Sequence, residues 1–192
     1  MEHHIPTLLR QNRSYRRFGG ELLTKETLQA LISCCTLTPS AGNLQKLRFC
    51  PVFGKEGCDR VYPTLRWAGY LSDWDGPCEA ERPRGYIVLL CRPDEENTLL
   101  GIDIGICAQS MLLCATERGL GGCMIRNVDK EALMEALELS AAEWHPSLVI
   151  ALGEPVEPVE IVPVGKDGSV RYYRDEAGVH YVPKRSLEDI IV

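Results

Sequence analysis

Four stretches of the chain carry side chains whose type and spacing suit ligand chemistry. The first is Asn12-Arg13-Ser14-Tyr15-Arg16-Arg17-Phe18. Guanidinium forks bind phosphate bidentately, and a serine hydroxyl adds a short donor. In an extended segment Arg13 and Tyr15 face one way and Ser14 and Arg16 the other. The second is Thr38-Pro39-Ser40-Ala41-Gly42-Asn43-Leu44-Gln45. Its amides and hydroxyls suit the polar edge of a heterocycle or a polyol. Gly119-Leu120-Gly121-Gly122-Cys123 is the third, a source of backbone N–H groups. Lys184-Arg185 is the fourth, a cationic pair able to complete an anion site begun by Arg13. Together they would hold an anionic ligand with a polar ring. Each also has a plainer reading: a solvated basic run, a loop capping its own backbone, a helix C-cap and an exposed pair on a tail.

Other chemistries find less support. No Ser lies in G-x-S-x-G, and there is no HExxH. The four histidines, His3, His4, His145 and His180, are not spaced with cysteines as a zinc site requires. The nine cysteines are odd in number and include no CxxC, so they read as small hydrophobes rather than as a disulfide framework. The glycine stretch lacks the Lys-Ser/Thr of a P-loop. A net charge of −6 argues against a nucleic-acid surface. No segment resembles a signal peptide. The central apolar stretch carries Asp103 and Gln109, which favours a buried helix over a membrane span; a cytoplasmic protein is expected. The absence of an acid–base team fits chemistry that resides in a cofactor.

The length of 192 residues suits one domain. Thr24 predicts an N-cap for a helix with Leu28, Leu31 and Ile32 on one side, stopped before Pro39. Residues 48–53 read as a strand, and 86–91 as a central one. Residues 59–75 read as a helix or a flap, with Trp67, Tyr70 and Trp74 as large apolar groups. The longest periodic segment, 97–118, is apolar on most sides, so it expects burial against both a sheet and a partner subunit. Gly119, Gly121 and Gly122 would end it in a turn. Asp129 would cap a helix running to Leu139, and 147–152 would form another strand. In the tail, 170–173 and 179–182 would pair as a hairpin, and the apolar end at Ile190-Ile191-Val192 would pack on something.

Four motifs in order carry a family resemblance: Arg13-Ser14-x-Arg16-x-Phe18, Pro39-Ser40-x-x-Asn43-x-Gln45, a long helix ending in Gly119-Leu120-Gly121-Gly122, and a strand closing in Gly153-x-Pro155. The chain resembles the FMN-dependent nitroreductase family across residues 10 to 190. The resemblance implies an α+β fold, a sandwich of helices around a mainly antiparallel sheet. It implies an obligate homodimer built on the long helices, with FMN at the interface. A single domain, 1–192, would place its tail, 156–192, on the partner subunit. By the same resemblance Arg13 and Arg16, with Lys184 or Arg185, would hold the phosphate or the ring edge, and Ser14 would join the phosphate. Pro39, Ser40, Ala41 and Asn43 would line the flavin from the other chain, with Gln45 in the same motif. Gly121 and Gly122 would set backbone groups beside flavin N5. The implied activity is ping-pong transfer of hydride from NAD(P)H through FMN to a nitroaromatic or quinone-like acceptor. Flavin fragmentation, dehalogenation and non-enzymatic flavin binding are the alternatives. Lys46-Leu47 stands where the family often has Pro-Trp.

Overall fold

The computed structural model describes residues 4–192. Its centre is a five-stranded sheet in which every pairing is antiparallel. The strands are β1 (Phe18–Gly19), β2 (Arg48–Val52), β3 (Gly85–Cys91), β4 (Gly121–Ile125) and β5 (His145–Pro155). The long β5 organises the sheet. It pairs with β3 along most of its length, with β4, and at its end with β1, where Phe18 faces Pro155.

β3 is buried at every position because both faces of the sheet are covered. Its odd residues Ile87 and Leu89 join Leu148, Ile150 and Leu152 beneath α2 (Lys25–Ser33) and α4 (Thr98–Glu117). Its even residues Tyr86, Val88 and Leu90 join Val149 and Ala151 on the opposite face. There they meet Cys58 and Val61 of α3 (Gly54–Val61) and Leu133 and Met134 of α5 (Lys130–Ala136). The period-2 alternation of strand side chains thus feeds two cores. This is the expected α+β sandwich.

The caps follow the sequence. Thr24 accepts from the Thr27 N–H, Asn97 from Leu100 and Asp129 from Ala132. Past α2, a 3-10 turn at Cys34–Leu37 carries the chain toward Pro39. The helix after Asp129 stops at Ala136, short of Leu139, because Glu138 takes a positive φ of 56°. Residues 59–75 are only partly helical: α3 begins earlier, at Gly54, a 3-10 turn follows at Tyr62–Thr64, and the remainder has no helix.

One expectation is corrected. Gly119 alone, at φ 75°, ends α4. Gly121 and Gly122 do not form a turn; they open β4. They are glycines because neighbours come too close for a side chain. A Cβ at Gly121 would collide with the Tyr15 ring and lie 2.6 Å from Pro155, and one at Gly122 would lie 2.6 Å from Leu112 of α4.

The tail forms a second, small sheet: β6 (Val159–Pro163), β7 (Tyr173–Arg174) and β8 (His180–Lys184), in the order β6-β8-β7. The predicted hairpin is present in shortened form, with Tyr173 opposite Tyr181; the parallel β6–β8 pairing was not foreseen. Within the tail, Glu157, Tyr172, Arg174 and His180 contact the body of their own chain. Leu187, Ile190, Ile191 and Val192 are exposed.

α4 is long and apolar enough to cross a membrane by composition, with a mean hydropathy of 1.7. Leu100, Cys107, Met111 and Leu112 bury one side of it in the core. Leu99, Ile102 and Gly105 remain exposed on the other.

Candidate functional site

The basic run is fixed by the strand beside it. After α1 (His4–Gln11), the chain extends along β4: Ser14 bridges Gly122 in parallel, and the Tyr15 N–H donates to the Gly122 carbonyl at 3.1 Å. Tyr15 packs over Gly121, which needs no side chain there. The N–H groups of Arg16 and Arg17 then both donate to Oε1 of Glu157. Glu157 is buried, and its Oε2 accepts from Arg174 at 2.9 Å. One carboxylate therefore satisfies two backbone donors and one guanidinium.

This anchoring sorts the three arginines. Arg17 forks onto Glu81 at 2.6 and 2.7 Å. Arg13 donates to the Leu9 carbonyl, and its buried Nε has no partner. Arg16 is 9% exposed, yet among the described residues it forms no ion pair. Its Nη1 meets the Ser14 carbonyl at 3.3 Å and His180 Nε2 at 3.4 Å, and its guanidinium lies 4.8 Å from the Tyr172 ring centre. His180 is buried, and burial together with Arg16 and Arg174 holds its imidazole down at about 4.

Arg16 opens onto a cleft of about 180 Å³ walled by residues 66–69, 123–127 and Tyr172. Arg66 and Arg126 add charge at its rim; Asn127 adds an amide. Beyond the lining residue Tyr172 lie further aromatic side chains. Tyr70 and Tyr172 lie 4.9 Å apart, Arg171 sits over Tyr70, and Arg174 sits over Trp74. Ala68, in the same loop, holds a positive φ of 34°, an uncommon conformation for a residue with a side chain.

The polar turn forms a second cleft of about 200 Å³, lined by Thr38, Ser40, Gln45, Asp103 and Cys107 among others. The buried Asp103 of α4 accepts from the Ala41 N–H at 2.9 Å. Ser40 Oγ accepts from the Gln45 N–H at 3.2 Å. Gly42, Asn43 and Gln45 all take positive φ, so Asn43 and Gln45 stand out into solvent. Cys107 is drawn down by hydrogen bonding from Cys35 and then Thr38, while Cys35 is pushed up.

Within one chain the two clefts share no lining residue. Arg16 lines one; Ser40 and Gln45 line the other. Ser14 is exposed and contributes a backbone bridge. Pro39 and Ala41 shape the second turn. Gly121 and Gly122 pack against Tyr15 and α4, with their strand paired to β5. Lys184 and Arg185 are exposed at the end of β8 and line neither cleft. Sequence reasoning missed Arg126, Asn127, Tyr172 and His180 at the first cleft, and Asp103 and Cys107 at the second. For Arg126-Asn127 there was a signal: polar residues directly after the apolar run Cys123–Ile125 mark a strand end. Nothing local marks Tyr172 or His180.

An antiparallel sheet between two helical layers, with a long apolar helix and an arginine-floored cleft beside β4, is the nitroreductase type of α+β architecture. The chain belongs to the Nitroreductase family, whose profile matches residues 9–68 and 84–154. It is similar to a nitroreductase family protein of Streptococcus pneumoniae TIGR4, at 17% identity and a TM-score of 0.67, over 98% of each chain. It is similar to NfnB, an FMN and NADPH-dependent nitroreductase of Sphingopyxis sp. strain HMH, at 16% identity and a TM-score of 0.67, over 97% of each chain. An FMN-dependent nitroreductase of Clostridium difficile R20291 is 22% identical, with a TM-score of 0.62, over 78% of this chain and 86% of that one. At these identities the likeness is one of fold. Two of the segments outside the family match, 69–83 and 155–192, meet near Arg16, where Tyr70 lies 4.9 Å from Tyr172.

Proposed function

We propose that the protein is a homodimeric, FMN-dependent NAD(P)H oxidoreductase that reduces nitroaromatic or quinone-like acceptors by a ping-pong route. The observation that carries the reading is Arg16: a nearly buried guanidinium without a carboxylate partner, facing a cleft with Arg66, Arg126 and Asn127, in a chain of this family.

The residues fit an anionic flavin. Arg16 supplies positive charge in a desolvated place, and the orphaned Nε of Arg13 and Nε1 of Trp67 are spare donors. Each cleft, at about 180 and 200 Å³, is smaller than the ~300 Å³ at which ligand pockets usually begin. Two walls from two chains give the needed room. The exposed face of α4, with Leu99, Ile102 and Gly105, is the surface through which a second copy would bring its Ser40 turn toward Arg16.

FMN, when bound, supplies the hydride chemistry. Arg16 would hold the polar edge of the ring and favour negative charge on its reduced form. Arg13 and Ser14 would receive the phosphate, with Lys184 or Arg185 joining from the tail. Ser40, Asn43 and Gln45 of the partner subunit would line the opposite side. Tyr172, Tyr70 and Trp74 would shut out water and offer a stacking surface to a flat acceptor. His180, held neutral by its surroundings, adds no competing positive charge beside Arg16. A cytoplasmic site of action goes with this reading.

The test is an anaerobic titration of FMN-loaded protein with NADH or NADPH, followed by menadione or nitrofurazone. Bleaching and then recovery of the flavin absorbance is the expected result. Bound flavin that neither nicotinamide reduces would leave only a flavin-binding module.

A further inference from the structure

One column of α4 clamps the segment that leads into the Ser40 turn. Asp103, Cys107 and Cys114 are spaced four and seven residues apart, which puts them on one side of a helix. Asp103 receives the Ala41 N–H. Cys107 meets Thr38, Oγ1 to Sγ at 3.5 Å, and its carbonyl accepts from the Cys35 thiol. Cys114 meets Cys34, with the two sulfurs 2.7 Å apart. Sulfur atoms of two unbonded thiols ordinarily stay further apart than this, and a disulfide needs them only slightly nearer. Both cysteines are half-buried.

We propose that Cys34 and Cys114 are a redox-active dithiol that hydrogen peroxide closes to a disulfide, tying the Cys34–Leu37 turn to α4. The Cys34 thiolate attacks the peroxide oxygen. The O–O bond breaks, Cys34 becomes a sulfenic acid, and the leaving oxygen departs as water. Cys114 sulfur then attacks Cys34 sulfur, the S–O bond breaks, and a second water leaves with the Cys114 proton. Two thiols have lost two electrons and two protons, and one peroxide has become two waters. Burial and the contact with Cys34 hold the Cys114 thiol up at about 11, which disfavours Cys114 as the first nucleophile. The bond fixes the wall that carries Cys35 and Thr38 in the Ser40 cleft. A thiol reductant reopens it.

The experiment uses the reduced full-length chain, a slight molar excess of hydrogen peroxide, iodoacetamide to trap free thiols, and mass spectrometry. Expected are a loss of two hydrogens, fragment ions that join Cys34 to Cys114, and reversal by dithiothreitol. Cys34→Ser and Cys114→Ser should each abolish the cross-link; Cys35→Ser and Cys78→Ser should retain it. The wild-type map needs no variant to fold and no flavin to bind, so it stands apart from the oxidoreductase reading. Peroxide that leaves Cys34 and Cys114 both alkylated would overturn the proposal. So would a cross-link between any other pair, such as Cys35 and Cys107.

Discussion

Replacing Arg16 with Met keeps much of the side-chain length and removes the charge. In the folded chain the loss is modest. The stacking on Tyr172 at 4.8 Å contributes about 1 kcal/mol. The contacts to the Ser14 carbonyl and His180, at 3.3 and 3.4 Å, are long and contribute less. One of the two cations that depress His180 also disappears, a small gain in the other direction. The variant should therefore unfold within about 1 kcal/mol of the parent. Flavin binding is another matter. A charge-assisted contact in a desolvated site is worth about 1.5–3 kcal/mol, so FMN affinity should fall by about 10- to 150-fold. The assay is a flavin fluorescence titration beside a urea melt. Arg17→Met is the comparator: its fork onto Glu81 is part-buried, so it should cost about 1 kcal/mol of stability and leave FMN affinity in place. Equal FMN affinity for Arg16→Met and the parent would refute the assignment. So would a loss of affinity as large in Arg17→Met.

The remaining expectations are as follows. His180 titrates near 4 in the folded chain and near 6.5 when unfolded, so the unfolded state binds the extra proton first. Stability should be level well above pH 6.5 and fall by about 3 kcal/mol as pH drops toward 4, a slope that His180→Gln should flatten in urea melts. Gly121→Ala places a Cβ into the Tyr15 ring and against Pro155, and should destabilise the fold by about 2 kcal/mol in thermal melts, with full stability counting against that packing. Ile102→Glu puts a charge on the exposed apolar face of α4 and should convert dimer to monomer in sedimentation, with loss of FMN; a dimer unaffected by it would place the interface elsewhere.

What the sequence revealed was local. The caps at Thr24 and Asp129 were readable because a short polar side chain before an apolar period has one good use. The continuous run of β3 signalled burial on both faces, and the apolar α4 signalled burial, which the structure shows on one side. Gly121 and Gly122 misled for a physical reason. Glycine marks either a turn or a close approach, and only the position of Tyr15 and Leu112 decides which. The basic run looked uniform in sequence. Its division into Arg17 for Glu81, Arg13 for Leu9 and Arg16 for the cleft depends on Glu157 and Glu81, far along the chain. The same distance hid the cover over Arg16, since Tyr172 and His180 reach it only through the small tail sheet.

The proposed function requires flavin held at Arg16 and reduced by nicotinamide. The most direct measurement is the visible spectrum of the FMN-reconstituted protein during anaerobic addition of NADH or NADPH. The account predicts a bound-flavin band near 450 nm that bleaches with either donor and returns when a quinone is added. A protein that stays colourless after FMN is supplied, or whose bound flavin keeps its absorbance with both donors, would contradict it.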